Sequence, residues 1–154
     1  MKSRVLLTSL LLSVFAVAVC FAADGFIASW KLNEAKSKFP PGATKNTTVV
    51  YEAAGDSIKV TIDGVGGDGK PTHVEWTGKF DGKDYPSTGS AADDARAYTK
   101  IDDHTLHIVL KKGGKPVGTA HIVISADGKS RTVTATITGA DGKKVTSTAV
   151  YDKQ

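Results

Sequence analysis

The 154-residue chain has one cysteine, Cys20, and one methionine. A lone cysteine closes no intramolecular disulfide and builds no thiolate metal site. No stretch sustains the 3.6-residue apolar period of a packed helix. The one helix-compatible segment is residues 90–96, where Ser90 would cap and Asp93-Asp94 would suit a first turn. No G-x-S-x-G elbow surrounds Ser87, Ser90 or Ser125, so none of these serines carries a hydrolase signature. No glycine-rich loop runs into a helix that would cradle phosphate. The net charge of +4 is modest and gives little footprint for nucleic acid.

Part of that charge belongs to the first 22 residues. Lys2 and Arg4 precede an apolar run over residues 5–21, and Cys20 and Ala22 occupy the −3 and −1 positions of a cut before Ala23. This is the layout of a secretory signal peptide. Two other readings of the run are an uncleaved membrane anchor and lipidation at Cys20, where Val19 stands in place of a small residue. Cleavage lowers the net charge to +2 and removes the only cysteine. A single domain over residues 23–154 is then expected in a periplasm or outside the cell, with no stable membrane span. It would be held together by core packing alone, which about 130 residues can supply.

What the sequence does have is turns. Asp-Gly-Lys occurs at residues 68–70, 81–83, 127–129 and 141–143, and Gly113-Gly114-Lys115 is a near-copy. Asp-Gly and Gly-Gly supply the positive φ angles of tight hairpins. Between them lie alternating stretches rich in Val, Ile, Thr and Tyr. Residues 132–138 place Val133, Ala135 and Ile137 between threonines, and Ile58, Val60 and Ile62 alternate in the same way. One face is buried and a one-residue slip would reverse it. The pattern predicts ten strands, at 26–32, 47–52, 57–63, 72–80, 85–88, 96–101, 105–111, 117–125, 131–138 and 144–151. Short connections make neighbours of consecutive strands. The fold class is therefore all-β, an antiparallel up-and-down meander, and closure into a barrel removes both edges. A two-sheet sandwich is the alternative.

The ends of the chain resemble a family. Phe26-Ile27-Ala28-Ser29-Trp30-Lys31-Leu32 is similar to the F-x-G-x-W-K-L opening of the calycins, which include the lipocalins and fatty-acid-binding proteins. Residues 145–151 resemble the last strand of the latter. Trp30-Lys31-Leu32-Asn33 with residues 35–39 resembles uncharacterised secreted bacterial lipocalin-like proteins. Ala28 replaces the lipocalin glycine. Ala149 stands where fatty-acid-binding proteins carry the arginine of an Arg-x-Tyr carboxylate grip, leaving Tyr151 as the only match. The resemblance implies a barrel holding a small apolar or amphipathic ligand.

The expected ligand-lining residues are Trp76, Tyr98, Val133, Ile137 and Tyr151, with no catalytic residue, cofactor or metal. Trp30 is expected to plug one end of the barrel, its N–H on a carbonyl. Tyr51 could turn its hydroxyl inward, although core-edge tyrosines are commoner. A two-residue loop at Gly113-Gly114 would set His107 opposite Ala120, whereas a three-residue loop would set it opposite His121. His73, His104, His107 and His121 read as solvated or barrel-lining, and Asp102-Asp103 as turn residues. Residues 63–70 look like a calcium loop but read as a hairpin turn, lacking the closing glutamate. Asn46-Thr47-Thr48 is a formal glycosylation sequon. Two other functions compete with ligand binding: a non-catalytic envelope or surface interaction module with a filled core, and a calycin-like enzyme.

Overall fold

Three of the four Asp-Gly-Lys tripeptides turn the chain in one way. In each, the glycine has positive φ (79°, 69° and 76° at Gly69, Gly128 and Gly142) and the aspartate Oδ1 accepts the lysine N–H at 3.0–3.1 Å. The aspartate thus supplies the acceptor and glycine the left-handed backbone. The fourth copy uses the same bond, Lys83 N–H to Asp81 Oδ1, but lies inside a strand. There the pairing slips between Asp81 and Asp84, so the motif makes a β-bulge rather than a hairpin.

The computed structural model describes residues 25–139 and 141–154. The segment read as a signal peptide, with Cys20, lies outside them. Ten strands are present: β1 Ser29–Leu32, β2 Lys45–Ala54, β3 Ser57–Val65, β4 Pro71–Gly78, β5 Asp81–Thr88, β6 Ala95–Lys100, β7 Thr105–Lys112, β8 Lys115–Ile124, β9 Ser130–Thr138 and β10 Lys144–Lys153. Each strand pairs antiparallel with the next, and β1 pairs with both β2 and β10 (Trp30 with Val49 and with Lys153), closing the barrel. The predicted meander and its closure are both present. The helix-compatible segment at residues 90–96 forms no helix. That segment runs through bends into β6, and Ser90 Oγ accepts the Ala92 and Asp93 N–H groups without a following turn. The one described helical element is a single 3₁₀ turn, Glu34–Lys36, capped by Asn33.

The two ends of the barrel differ. At one, Phe26 and Trp30 are fully buried; Trp30 donates Nε1–H to the Phe26 carbonyl at 3.4 Å, and Phe26 meets Phe80 edge-on at 6.0 Å. Leu106, Ile124 and Val60 complete a packed core there. Trp30 thus plugs this end as its position in the sequence predicts. The other end is ringed by the 41–44 connection, the 89–92 loop and the β9–β10 turn. There inward residues such as Val133, Ala135 and Ile137 are only half-buried.

The seam between β4 and β5 is the least zipped. Backbone pairing is confined to Glu75–Thr88 and Trp76–Ser87. Aromatic rings take over beyond that point: Tyr85 of β5 meets Trp76 of β4 edge-on at 5.8 Å, and Phe80 stacks on Trp76 at 6.4 Å. Gly78 makes room for them. A Cβ at this position would lie 2.5 Å from the Tyr85 ring and 2.6 Å from the Trp76 ring. Gly78→Ala is therefore expected to cost about 1–3 kcal/mol through overpacking, read as a lower urea midpoint at unchanged m-value.

Candidate functional site

The half of the barrel away from Trp30 encloses a cavity of about 510 Å³. This is within the usual range for a site that takes one small molecule. Its walls are mostly aliphatic: Val49, Ile62 and Val74 on one side, Ile108, Ala120 and Ile122 on the other. The interior is therefore not filled, which removes the physical basis for the filled-core interaction module.

Four of the five sequence-predicted residues line this cavity. Val133 and Ile137 do so because β9 alternates, and Tyr98 and Tyr151 because each sits at an inward register position of β6 and β10. Tyr51 joins them from β2. The fifth, Trp76, is on the inward face of β4 but not at the cavity wall. It is sealed behind Tyr98, ring centroids 4.2 Å apart, with Nε1–H donated to the Arg96 carbonyl at 3.1 Å. Its size and apolar alternation placed it inside; they carried no information about which inward ring would shield which. Burial, then the neighbouring Tyr51, push the Tyr98 hydroxyl upward, and Arg96 opposes this. Burial also pushes Tyr151 up to about 12. Its hydroxyl donates to the Asn46 carbonyl at 3.0 Å. Both phenols are thus uncharged at any physiological pH.

Near the mouth lies a buried ion pair. Arg96 donates from Nε to Asp93 Oδ2 (2.7 Å) and from Nη2 to Asp93 Oδ1 (3.0 Å), and Ser90 Oγ donates to the same Oδ1 at 2.6 Å. The Asp93 side chain is 1% exposed and that of Arg96 10%. Burial alone would raise the Asp93 carboxyl. The hydrogen bond and charge of Arg96, with Ser90, outweigh it and hold the carboxyl below the usual range. The next residue secures the loop from outside: Asp94 exchanges backbone bonds with Ser87 and Lys111 and accepts the Gly113 N–H.

Deeper in the barrel is a residue that the sequence reading passed over. Arg131 is 2% exposed, lines the cavity, and has its guanidinium carbon 5.0, 5.1 and 4.8 Å from the ring centres of Trp30, Tyr51 and Tyr151. A signal was available: the inward series 133, 135, 137 extends back to 131 with the same period of two.

The histidines are elsewhere. The β7–β8 loop is the two-residue Gly113-Gly114 turn, yet His107 faces His121. A register shift between Leu110 and Lys111 supplies the extra residue that the turn lacks. The rings are 4.5 Å apart on the outer surface, and among the described residues no three His, Cys, Asp or Glu side chains converge on a metal position. Burial, then His121, lower the His107 pKa from 6.5. A depressed histidine favours the folded state above its unfolded value and withdraws that support as pH falls through the folded one. Melting temperature should therefore fall between pH 7.5 and 5, and by less in His107→Leu. Asp102 Oδ1 accepts the His104 N–H at 2.8 Å as a turn residue, and Ser125 Oγ donates to Asp127 at 2.6 Å. Residues 66–70 form the β3–β4 hairpin, closed by Gly66 N–H to the Lys70 carbonyl.

Comparison with known proteins adds little to this geometry. No protein-family model matches the chain, and no curated protein matches it. Among solved structures, EF1p2_mFAP2b, solved bound to DFHBI, is similar at 13% identity and a TM-score of 0.49, over 86% of this chain and 97% of that one.

Proposed function

We propose that this protein is an exported, lipocalin-like carrier that holds one small, largely apolar molecule inside its barrel. The observation that carries this reading is the 510 Å³ cavity, walled by aliphatic side chains and open at one end of a barrel packed solid at the other. Unfilled apolar space inside a close-packed protein forfeits dispersion contacts that a ligand restores. Tyr98, Val133, Ile137 and Tyr151 are the proposed contacts, and Trp76 supports Tyr98 from behind. Export is proposed from residues 1–22. A purified extracytoplasmic form beginning at Ala23 supports it, and a full-length cytoplasmic form refutes it.

The experiment is a panel of small apolar and amphipathic compounds, read by intrinsic tryptophan fluorescence and by melting temperature. A ligand at one hundred times its Kd stabilises by about 2.7 kcal/mol, worth roughly 10 °C in a domain of this size. No response to any compound up to its solubility limit defeats the carrier reading. A filled-cavity control sharpens the test. Ala135 faces the cavity from the middle of β9. Ala135→Trp should leave the melting temperature of the free protein unchanged or higher while abolishing the ligand-induced shift.

A further inference from the structure

His107 and His121 face each other across β7 and β8 on the outside of the barrel, ring centres 4.5 Å apart. The bulge between Leu110 and Lys111 creates this pairing; without it the two-residue turn would set His107 opposite Ala120. The next residues in the same outward row are Thr99 on β6 and Thr134 on β9, both uncharged. His107 Nδ1 is shut away from solvent and meets no partner among the described residues. His73 shows the contrast, its Nδ1 lying 2.6 Å from Asp63 Oδ1. Burial and then His121 disfavour a proton on His107, so its ring stays neutral with a lone pair to give.

We propose that His107 and His121 form a two-imidazole chelate for a divalent transition metal, copper(II) most tightly and nickel(II) and zinc(II) more weakly. The site is on the outer wall and stands independently of the carrier reading of the cavity. It offers nitrogen donors, and among the described residues no third His, Cys, Asp or Glu joins them. That donor set suits these ions rather than magnesium or calcium, which take oxygen ligands. Two nitrogens side by side on one metal, each about 2.0 Å from it, stand roughly 3 Å apart. Rings with centres 4.5 Å apart reach that separation by side-chain rotation, while the β7–β8 ladder holds both backbones. Once one imidazole binds, the ladder keeps the other at high effective concentration. Two imidazoles fill half of a four-coordinate shell. The other positions are left to water or to a ligand from outside.

The test is calorimetric titration of untagged protein with copper(II), nickel(II), zinc(II) and magnesium(II) at pH 7.5. One copper(II) should bind per chain, nickel(II) and zinc(II) should bind more weakly, and magnesium(II) should not bind. His107→Gln and His121→Gln should each weaken copper(II) about tenfold or more, since each leaves a single imidazole. His73→Gln and His104→Gln should leave the affinity unchanged. His121 is exposed, so its variant alters the surface and not the core. The electron paramagnetic resonance spectrum of the copper(II) form should show two nitrogen ligands in wild type and fewer in His121→Gln. Copper(II) affinity undiminished in both pair variants, or lost equally in His73→Gln, places the metal elsewhere and overturns the chelate. Wild-type binding no tighter than that of the double variant His107→Gln/His121→Gln overturns it as well.

Discussion

Asp93→Ala is expected to be among the most damaging single substitutions in the protein, at about 3–5 kcal/mol. The cost does not come from the lost attraction alone. Asp93 is the carboxylate that accepts from Arg96, and removing it leaves a guanidinium nine-tenths buried with no counter-charge. It also removes the acceptor of Ser90 Oγ, which holds the loop at the barrel mouth. In a domain of this size the midpoint of thermal unfolding should fall by roughly 10–20 °C. The double variant Asp93→Ala/Arg96→Met should recover much of the loss, because it removes the stranded charge as well. A single-variant loss below about 1 kcal/mol, or no recovery in the double variant, would show that the pair is not what holds the loop. The pH dependence follows from the same pair. Asp93 is depressed below its unfolded value of 3.8. Its contribution is therefore complete above about pH 4 and is lost as pH falls through the folded value. Wild type should lose stability in that acid window, and Asp93→Ala should lose less.

The strands were legible because two independent signals agree along most of the chain. Glycine with aspartate marks where it reverses, and a period of two marks which face is buried. Both were clear on β9, whose inward series lines the cavity. The sequence was less informative where the chain departs from regular pairing. Asp81-Gly82-Lys83 reads as a hairpin, but Phe80 has already turned the chain and the tripeptide kinks a strand instead. The Gly113-Gly114 loop has the expected length, yet a bulge two residues away reverses the histidine pairing deduced from it. Bulges leave no mark in a hydropathy pattern, since one extra residue in one strand is compensated only by the partner. Arg131 was passed over for a different reason. A charged residue at an inward position reads as the outward end of a strand, and only the convergence of Trp30, Tyr51 and Tyr151 from three other strands explains its burial.

Trp76→Ala carries the second large effect, and its consequences should be concentrated on one side of the barrel. The indole is 1% exposed and touches Phe80, Tyr85 and Tyr98. Removing a buried ring of this size costs about 3–5 kcal/mol, from lost transfer energy and the void left behind. The location adds a local consequence. Pairing between β4 and β5 stops after Trp76–Ser87, so below it the seam is held by the Trp76–Tyr85 contact rather than by backbone bonds. Without the indole, the first half of β5 has β6 as its partner and open space on its other side. Amide exchange at residues 81–85 should then accelerate more than at β8 or β9, whose ladders are continuous on both sides. Tyr98 would also lose the surface it leans on, so the cavity should widen toward β4 and the proposed ligand should bind less tightly. Trp76→Phe separates the two roles. It keeps a ring against Tyr85 but leaves the Arg96 carbonyl without its donor, which costs about 1–2 kcal/mol and should leave the seam closed. Uniform acceleration of exchange around the barrel in Trp76→Ala would mean that the seam is not held by its rings.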